Sequence, residues 1–183
     1  MILWALCLVF LLLNFGLFAW AIQKFFKAPE GGLPREMRQL SLLGSALALI
    51  QVLSLFLNQK RDEVLLSIGL GLLLASLGLF LWALRVNQKH PLPIAFSGDQ
   101  PQGIQQRGPY RWVRHPFYLS YLLTWATAPF VSQWVVLAAI PIVMAAIYHR
   151  MAVSEEKFLL SGPHGSDYQA YQSRTGRLLP WLG

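Results

Sequence analysis

The residues best suited to chemistry lie in two clusters of the C-terminal half. The first is the unbroken run Gly108-Pro109-Tyr110-Arg111-Trp112-Val113-Arg114-His115-Pro116-Phe117-Tyr118. Proline is tolerated in the first turn of a helix and pushes the preceding residue out of helical geometry, so His115-Pro116 marks a helix start. A helix start exposes unpaired N–H groups and a partial positive charge, which suit a carboxylate or a phosphate. His115 and Tyr118 are also the groups able to take a proton from an acceptor. The second cluster is Glu155-Glu156, with Arg150 the nearest arginine before it. Such acids can meet a cationic ligand, or can form a solvated helical turn paired with Arg150 or Lys157. Trp112, Arg111 and Arg114 equally suit an anchor at a membrane boundary, where Trp, Tyr and Arg concentrate.

Long apolar runs must position these clusters. Crossing a bilayer takes about 20 mostly apolar residues as a helix. Runs over residues 2–26, 40–57 and 64–84 meet that length. The first has no basic leader segment and is too long for a signal peptide, so it reads as retained. Gly69, Gly71, Ala75, Ser76 and Gly78 give the third run a small-residue face for close helix packing. The run over 117–148 is too long for one helix. It is also short for two full spans, and Pro129 with Ser132-Gln133 predicts a tight turn that splits it into a hairpin of two short or tilted helices, with Pro141 kinking the second. The hairpin brings His115 and the Glu pair to one end. Beyond it, residues 154–160 read as helical, Gly162-Pro163 as a break and 167–174 as a second short helix.

The expected fold class is therefore all-α: a polytopic membrane bundle of five transmembrane helices with a C-terminal cofactor-binding cap. It forms a single domain over 1–183, with a three-helix part over 1–84 and a core over 85–183. With five spans, the basic segments after helices one, three and five fall on one side. The opposite loop, Asn58-Gln59-Lys60-Arg61-Asp62-Glu63, sums to zero. The positive-inside rule then puts the N-terminus outside and the C-terminus in the cytoplasm, in an inner (cytoplasmic) membrane.

Composition excludes several classes. Only 13% of residues are charged, about half the share a soluble domain carries. The net charge of +7 therefore reads as cytoplasmic-face lysine and arginine facing anionic lipid, and no nucleic-acid partner is expected. One cysteine, Cys7, inside the first apolar run, leaves no disulfide framework and no cysteine-based zinc site. No metal is expected. The spans hold the uncharged polar residues Asn14, Gln51 and Gln133, where a transporter would place ionisable groups. No Gly-x-Gly-x-x-Gly follows a strand, so the soluble dinucleotide-binding fold is not indicated either.

The order Gly108 to Tyr118, an apolar hairpin, Glu155-Glu156, Gly165-x-x-Tyr168-x-x-Tyr171 and Arg177-Leu178-Leu179-Pro180 resembles the isoprenylcysteine carboxyl methyltransferase family, which belongs with the phospholipid N-methyltransferases. The resemblance spans about residues 102–180. It implies a methyltransferase that uses S-adenosyl-L-methionine, releases S-adenosyl-L-homocysteine and binds this cofactor at the cytoplasmic end of the bundle. Carried over by motif, the cofactor pocket takes in Gln102, Gly103, Ile104, Gln105, Tyr110, His115, Pro116, Phe117 and Tyr118. One of Glu155 and Glu156 closes it, with Glu156 suggested and Glu155 selected by a one-residue gap. Arg150, His115 and Tyr118 are the catalytic candidates. The family's arginine four residues before the Glu pair falls on Met151 or Ala152 here, which leaves Arg150 as the nearest cation.

The implied substrate is lipid-like or prenylated, entering from the membrane lipids, with a carboxylate as the first acceptor class. A carboxylate is already ionised near neutral pH and needs only alignment and exclusion of water. The alternatives are a phospholipid amine, which must lose a proton first, and a nicotinamide-dependent membrane reductase.

Overall fold

The computed structural model describes residues 1–26, 32–57, 61–88 and 103–180, and the described residues are all-helical. α1 (Ile2–Lys24), α2 (Arg35–Leu57) and α3 (Glu63–Asn87) follow in order. Asp62 starts α3 by accepting hydrogen bonds from the backbone N–H groups of Val64 (2.9 Å) and Leu65 (3.0 Å). A 3₁₀ turn, Gly108–Arg111, leads into α4 (Pro116–Ala126) and the short α5 (Ala128–Ser132). After a second 3₁₀ turn, Val135–Ala138, the long α6 (Ala139–Leu160) returns the chain, and α7 (Gly165–Gln172) crosses its end.

Among the described residues four stretches are long and apolar enough to cross a bilayer: α1, α2, α3 and Val135–Leu160. The fifth expected crossing corresponds to α4 and α5. Together they run about 25 Å at 1.5 Å per residue, short of a hydrocarbon core of about 30 Å. The hairpin reverses after α5 at Gln133, whose φ of 57° is left-handed. Pro129 therefore lies inside α5, before the turn. Pro141 occupies the first turn of α6, where a proline breaks no intrahelical hydrogen bond. The kink expected from it is accordingly replaced by the 3₁₀ turn just upstream.

α3 is the hub, packing on α1, α4, α5 and the first 3₁₀ turn. Its small-residue face is narrower than expected. A Cβ on Gly69 would come within 2.5 Å of Val131 Cγ1, whereas Gly71 and Gly78 have nothing within 4 Å. Ser76, two turns on from Gly69, is fully buried. Its hydroxyl donates to the Ser120 carbonyl (2.6 Å) or to Asn14 Oδ1 (3.1 Å) and lies 2.8 Å from the Thr124 hydroxyl. On the other flank Gln51 Nε2 donates to Thr127 Oγ1 at 2.7 Å. Asn14 and Gln51 are thus uncharged joints between helices, where a polar group has no water to turn to.

Above this belt an aromatic layer fills the bundle. Phe18, Phe80 and Phe117 pack edge to face, and Trp125 joins Tyr148 through an indole hydrogen bond of 3.2 Å. α2 packs on α1 and α5, and between α1, α2, α4 and α6 lies a cavity.

Candidate functional site

Three segments meet at the N-terminus of α4. The residues before it pair in parallel with the tail beyond α7: Arg114 N donates to the Gly176 carbonyl (2.8 Å), His115 N to the Arg177 carbonyl (3.1 Å), and Gly176 N to the Trp112 carbonyl (3.1 Å). α6 supplies the acids from the facing side. As the sequence predicts, His115 immediately precedes the first residue of α4, Pro116, and no side chain caps that helix. The N–H groups of its first turn are therefore available to an anion.

The two acids do different things. Glu156 is buried, its side chain 3% exposed. Its Oε1 accepts from Arg114 Nε at 2.7 Å and lies 3.3 Å from His115 Nε2. Its Oε2 accepts from Arg177 Nε (3.0 Å) and Nη2 (2.9 Å) and from Gln172 Nε2 (3.2 Å). Arg114 also donates to the carbonyls of Gln172 and Thr175. A buried carboxylate is tolerable only when paired and hydrogen-bonded this fully. Glu155 is 33% exposed and faces the cavity. One of its oxygens accepts the Tyr118 hydroxyl and the other lies 3.6 Å from His115 Nδ1.

The cavity holds about 390 Å³, within the range of small-molecule sites. Its polar end is formed by Glu155, His115, Tyr118, Arg114 and Tyr110, with Gln23 from α1. The rings of His115, Tyr118 and Tyr148 stack nearly parallel, at centroid separations of 5.3 and 5.4 Å. From there an apolar arm runs down between α1 and α2 to Trp125. The α2 wall is Met37, Leu40, Ser41, Gly44, Ser45 and Ala48, at helical spacing, the last four of them small. Burial pushes the Tyr110 hydroxyl well above the usual phenol range and Tyr171 up to about 12. Both stay protonated: Tyr171 donates to the Tyr110 carbonyl at 2.6 Å, and Tyr110 accepts from Asn87 Nδ2 at 3.0 Å.

Of the expected site residues, Tyr110, His115, Pro116, Phe117, Tyr118 and Glu155 share this cavity. Glu156 stands behind it, against His115. Arg150 does not reach it: the cavity face of α6 carries Tyr148, Met151 and Glu155, and Arg150 lies exposed on another side. Gly103, Ile104 and Gln105 are also off the cavity wall. Gln105 is tied to the end of α3, donating to the Val86 carbonyl at 3.2 Å. Gln102 lies outside the described residues. Sequence reasoning gave no role to Arg177, Gln172, Tyr121 or Tyr148. The Tyr148-Met151-Glu155 stripe was the available signal for the last of these, since such spacing puts side chains on one helix face. Among the described residues no cluster of three or more His, Cys, Asp and Glu could hold a metal ion.

Comparison with known proteins matches this region. The sequence pattern of the phospholipid methyltransferase family fits residues 64–161, more than half of the chain. That stretch runs from the start of α3 to the end of α6 and includes both clusters. A relative from Bradyrhizobium diazoefficiens, methanethiol S-methyltransferase 1, is 31% identical over 72 residues. The match takes in 39% of this chain and 24% of that protein, so the chain spans about a quarter of the relative's length.

Proposed function

The chain belongs to the phospholipid methyltransferase family, and on that premise we propose that it is a multi-pass membrane enzyme methylating a lipid-like acceptor. The observation that carries the proposal is one cavity joining a polar end, built from Glu155, His115 and Tyr118, to an apolar arm lined by α2. S-adenosyl-L-methionine supplies an activated methyl on a cationic sulfur. The residues present fit such a donor. Glu155 suits its ammonium group, and the uncapped start of α4 suits its carboxylate.

The chain's own work is binding and alignment. Phe18 and Phe117 line the cavity and help keep water from the reacting end. The small side chains of Ser41, Gly44 and Ala48 leave width for an apolar tail lying against α2. A carboxylate acceptor is the first reading, because it attacks without a base. Arg150 is off the cavity, and Arg114 on its wall is already paired with Glu156, so alignment of that carboxylate falls to the shape of the cavity. A phospholipid amine is the second reading, favoured by the acid on that wall: Glu155 attracts a cationic headgroup. The distant relative's name adds a thiol to the acceptors worth testing.

The basic residues around the site end, Arg85, Arg107, Arg111, Arg150 and Lys157, favour placing it on the cytoplasmic side of an inner membrane. The five-span topology keeps the N-terminus outside, with α4 and α5 as a short, tilted fifth crossing. The deciding experiment is transfer of labelled methyl from S-adenosyl-L-methionine by the purified protein in lipid. Three acceptors are compared: a prenylated cysteine, phosphatidylethanolamine and a small alkyl thiol. Product on the first supports the carboxylate reading, and product on the second the amine reading. Product on the thiol alone overturns the lipid-like acceptor.

A further inference from the structure

Among the described residues, three buried side-chain polar atoms have no hydrogen-bond partner: Gln51 Oε1, Asn87 Oδ1 and Ser41 Oγ. The first two belong to amides whose nitrogen is already hydrogen-bonded. Ser41 makes no side-chain hydrogen bond, and of the three residues it alone lines the cavity. Burying a hydroxyl without a partner is costly, so such a group on a cavity wall points to something the cavity receives.

Two more hydroxyls belong to the same arm. α2 and α4 run in the same direction, since Gly44 lies against Trp125 and Gln51, further along α2, meets Thr127. A Cβ on Gly44 would be 3.9 Å from Trp125 Cζ2. One turn back from that contact toward the site end, α2 carries Ser41 and α4 carries Tyr121. The Tyr121 ring centroid lies 5.7 Å from that of Tyr148 on α6, and both residues line the cavity. The Tyr148 oxygen accepts the Trp125 indole N–H at 3.2 Å, which leaves its O–H to donate. The Tyr121 hydroxyl has no hydrogen-bond partner among the described residues.

Three helices thus offer hydroxyl hydrogens at one level of the arm. A carbonyl oxygen has two lone pairs and accepts more than one of them. The walls at this level, Leu40, Gly44, Tyr121, Trp125 and Tyr148, carry no charge, and α1 and α2 contribute no charged side chain to the cavity. A phosphate or an ammonium held there would be buried without a counter-ion, so the group received is neutral. We propose that Ser41, Tyr121 and Tyr148 anchor a neutral carbonyl of the methyl acceptor one helical turn, about 5 Å, below the reacting end. The inference rests on the lipid-like acceptor proposed above. The carbonyl is either the amide of an acylated prenyl amino acid or the ester of an acyl lipid. α2 lies outside the residues that fit the family pattern, which assigns the anchor to acceptor choice and not to the shared donor.

The test is calorimetric binding to the full chain in an alkyl maltoside, with two matched pairs of probes. One pair is N-acetyl-S-farnesylcysteine and S-farnesyl mercaptopropionate, which lacks the amide. The other is dihexanoyl phosphatidylethanolamine and its dihexyl ether, which lacks the ester carbonyls. Wild type should bind the carbonyl-bearing member of at least one pair ~fivefold or more tightly, and that pair identifies the source. Ser41→Ala and Tyr121→Phe should each shrink the preference to within ~twofold and leave S-adenosyl-L-homocysteine affinity unchanged. Ser41→Ala should melt no lower than wild type, because it removes a buried hydroxyl that has no partner. A preference absent from wild type in both pairs, or kept in either folded variant, overturns the anchor. So does a fall in S-adenosyl-L-homocysteine affinity that matches the lost preference, since the hydroxyls then serve the donor. Methyl transfer to a lipid acceptor with no carbonyl preference overturns the anchor and leaves the lipid-like reading standing. Transfer to the thiol alone overturns both.

Discussion

Two buried polar networks lie at different levels of the bundle, and they differ in kind. The lower one, Asn14, Ser76, Thr124, Gln51 and Thr127, contains no ionisable group and joins α1 to α3, α3 to α4 and α2 to the α4–α5 junction. The upper one, Arg114, His115, Glu156, Gln172 and Arg177, is charged and joins α4, α6 and the tail. A neutral network suffices where helices only need to be held together, since each hydrogen bond there adds modestly. Charges are costly to bury, and here they stand directly behind the cavity wall. The contrast separates what holds the bundle from what shapes the site.

Breaking the upper network should cost most. Glu156→Ala leaves Arg114 and Arg177 buried without their carboxylate, and unfolding in detergent should show a loss of about 3–5 kcal/mol. Glu155→Gln should behave in the opposite way. Its side chain faces the cavity, so stability should change by less than about 1 kcal/mol while S-adenosyl-L-homocysteine binding weakens at least ~tenfold, a contrast read from calorimetry beside thermal melts. In the lower network, Ser76→Ala should cost only about 0.6–1.7 kcal/mol in a melt and leave binding unchanged. The smallest effect is expected from Arg150→Ala, within about 0.5 kcal/mol and with wild-type binding, because that side chain is exposed and off the cavity.

Much of this was legible in the sequence. The apolar runs gave α1, α2 and α3 to within a few residues, His115-Pro116 gave the start of α4, and a returning hairpin gave the meeting of His115 with the Glu pair. The rest depended on helix rotation and on distant partners. Adjacent residues on a helix point about 100° apart, so choosing between Glu155 and Glu156 requires knowing which face of α6 meets α4. The stripe Tyr148-Met151-Glu155 carries that answer, and it also excludes Arg150. Arg177 is separated from Glu156 by 21 residues, and no local spacing pairs them. The hairpin's turn was legible too: Ser132-Gln133 ends its short first arm, at the left-handed Gln133.

The most direct test of the central claim, that this cavity is a methyl-donor site closed by Glu155, is calorimetric titration of S-adenosyl-L-homocysteine into the purified protein, with Glu155→Gln and His115→Ala beside wild type. The account predicts saturable binding by wild type that weakens at least ~tenfold in each variant, with the melting temperature of Glu155→Gln staying close to wild type. Binding that survives both substitutions intact, or its absence from well-folded wild type, would contradict it.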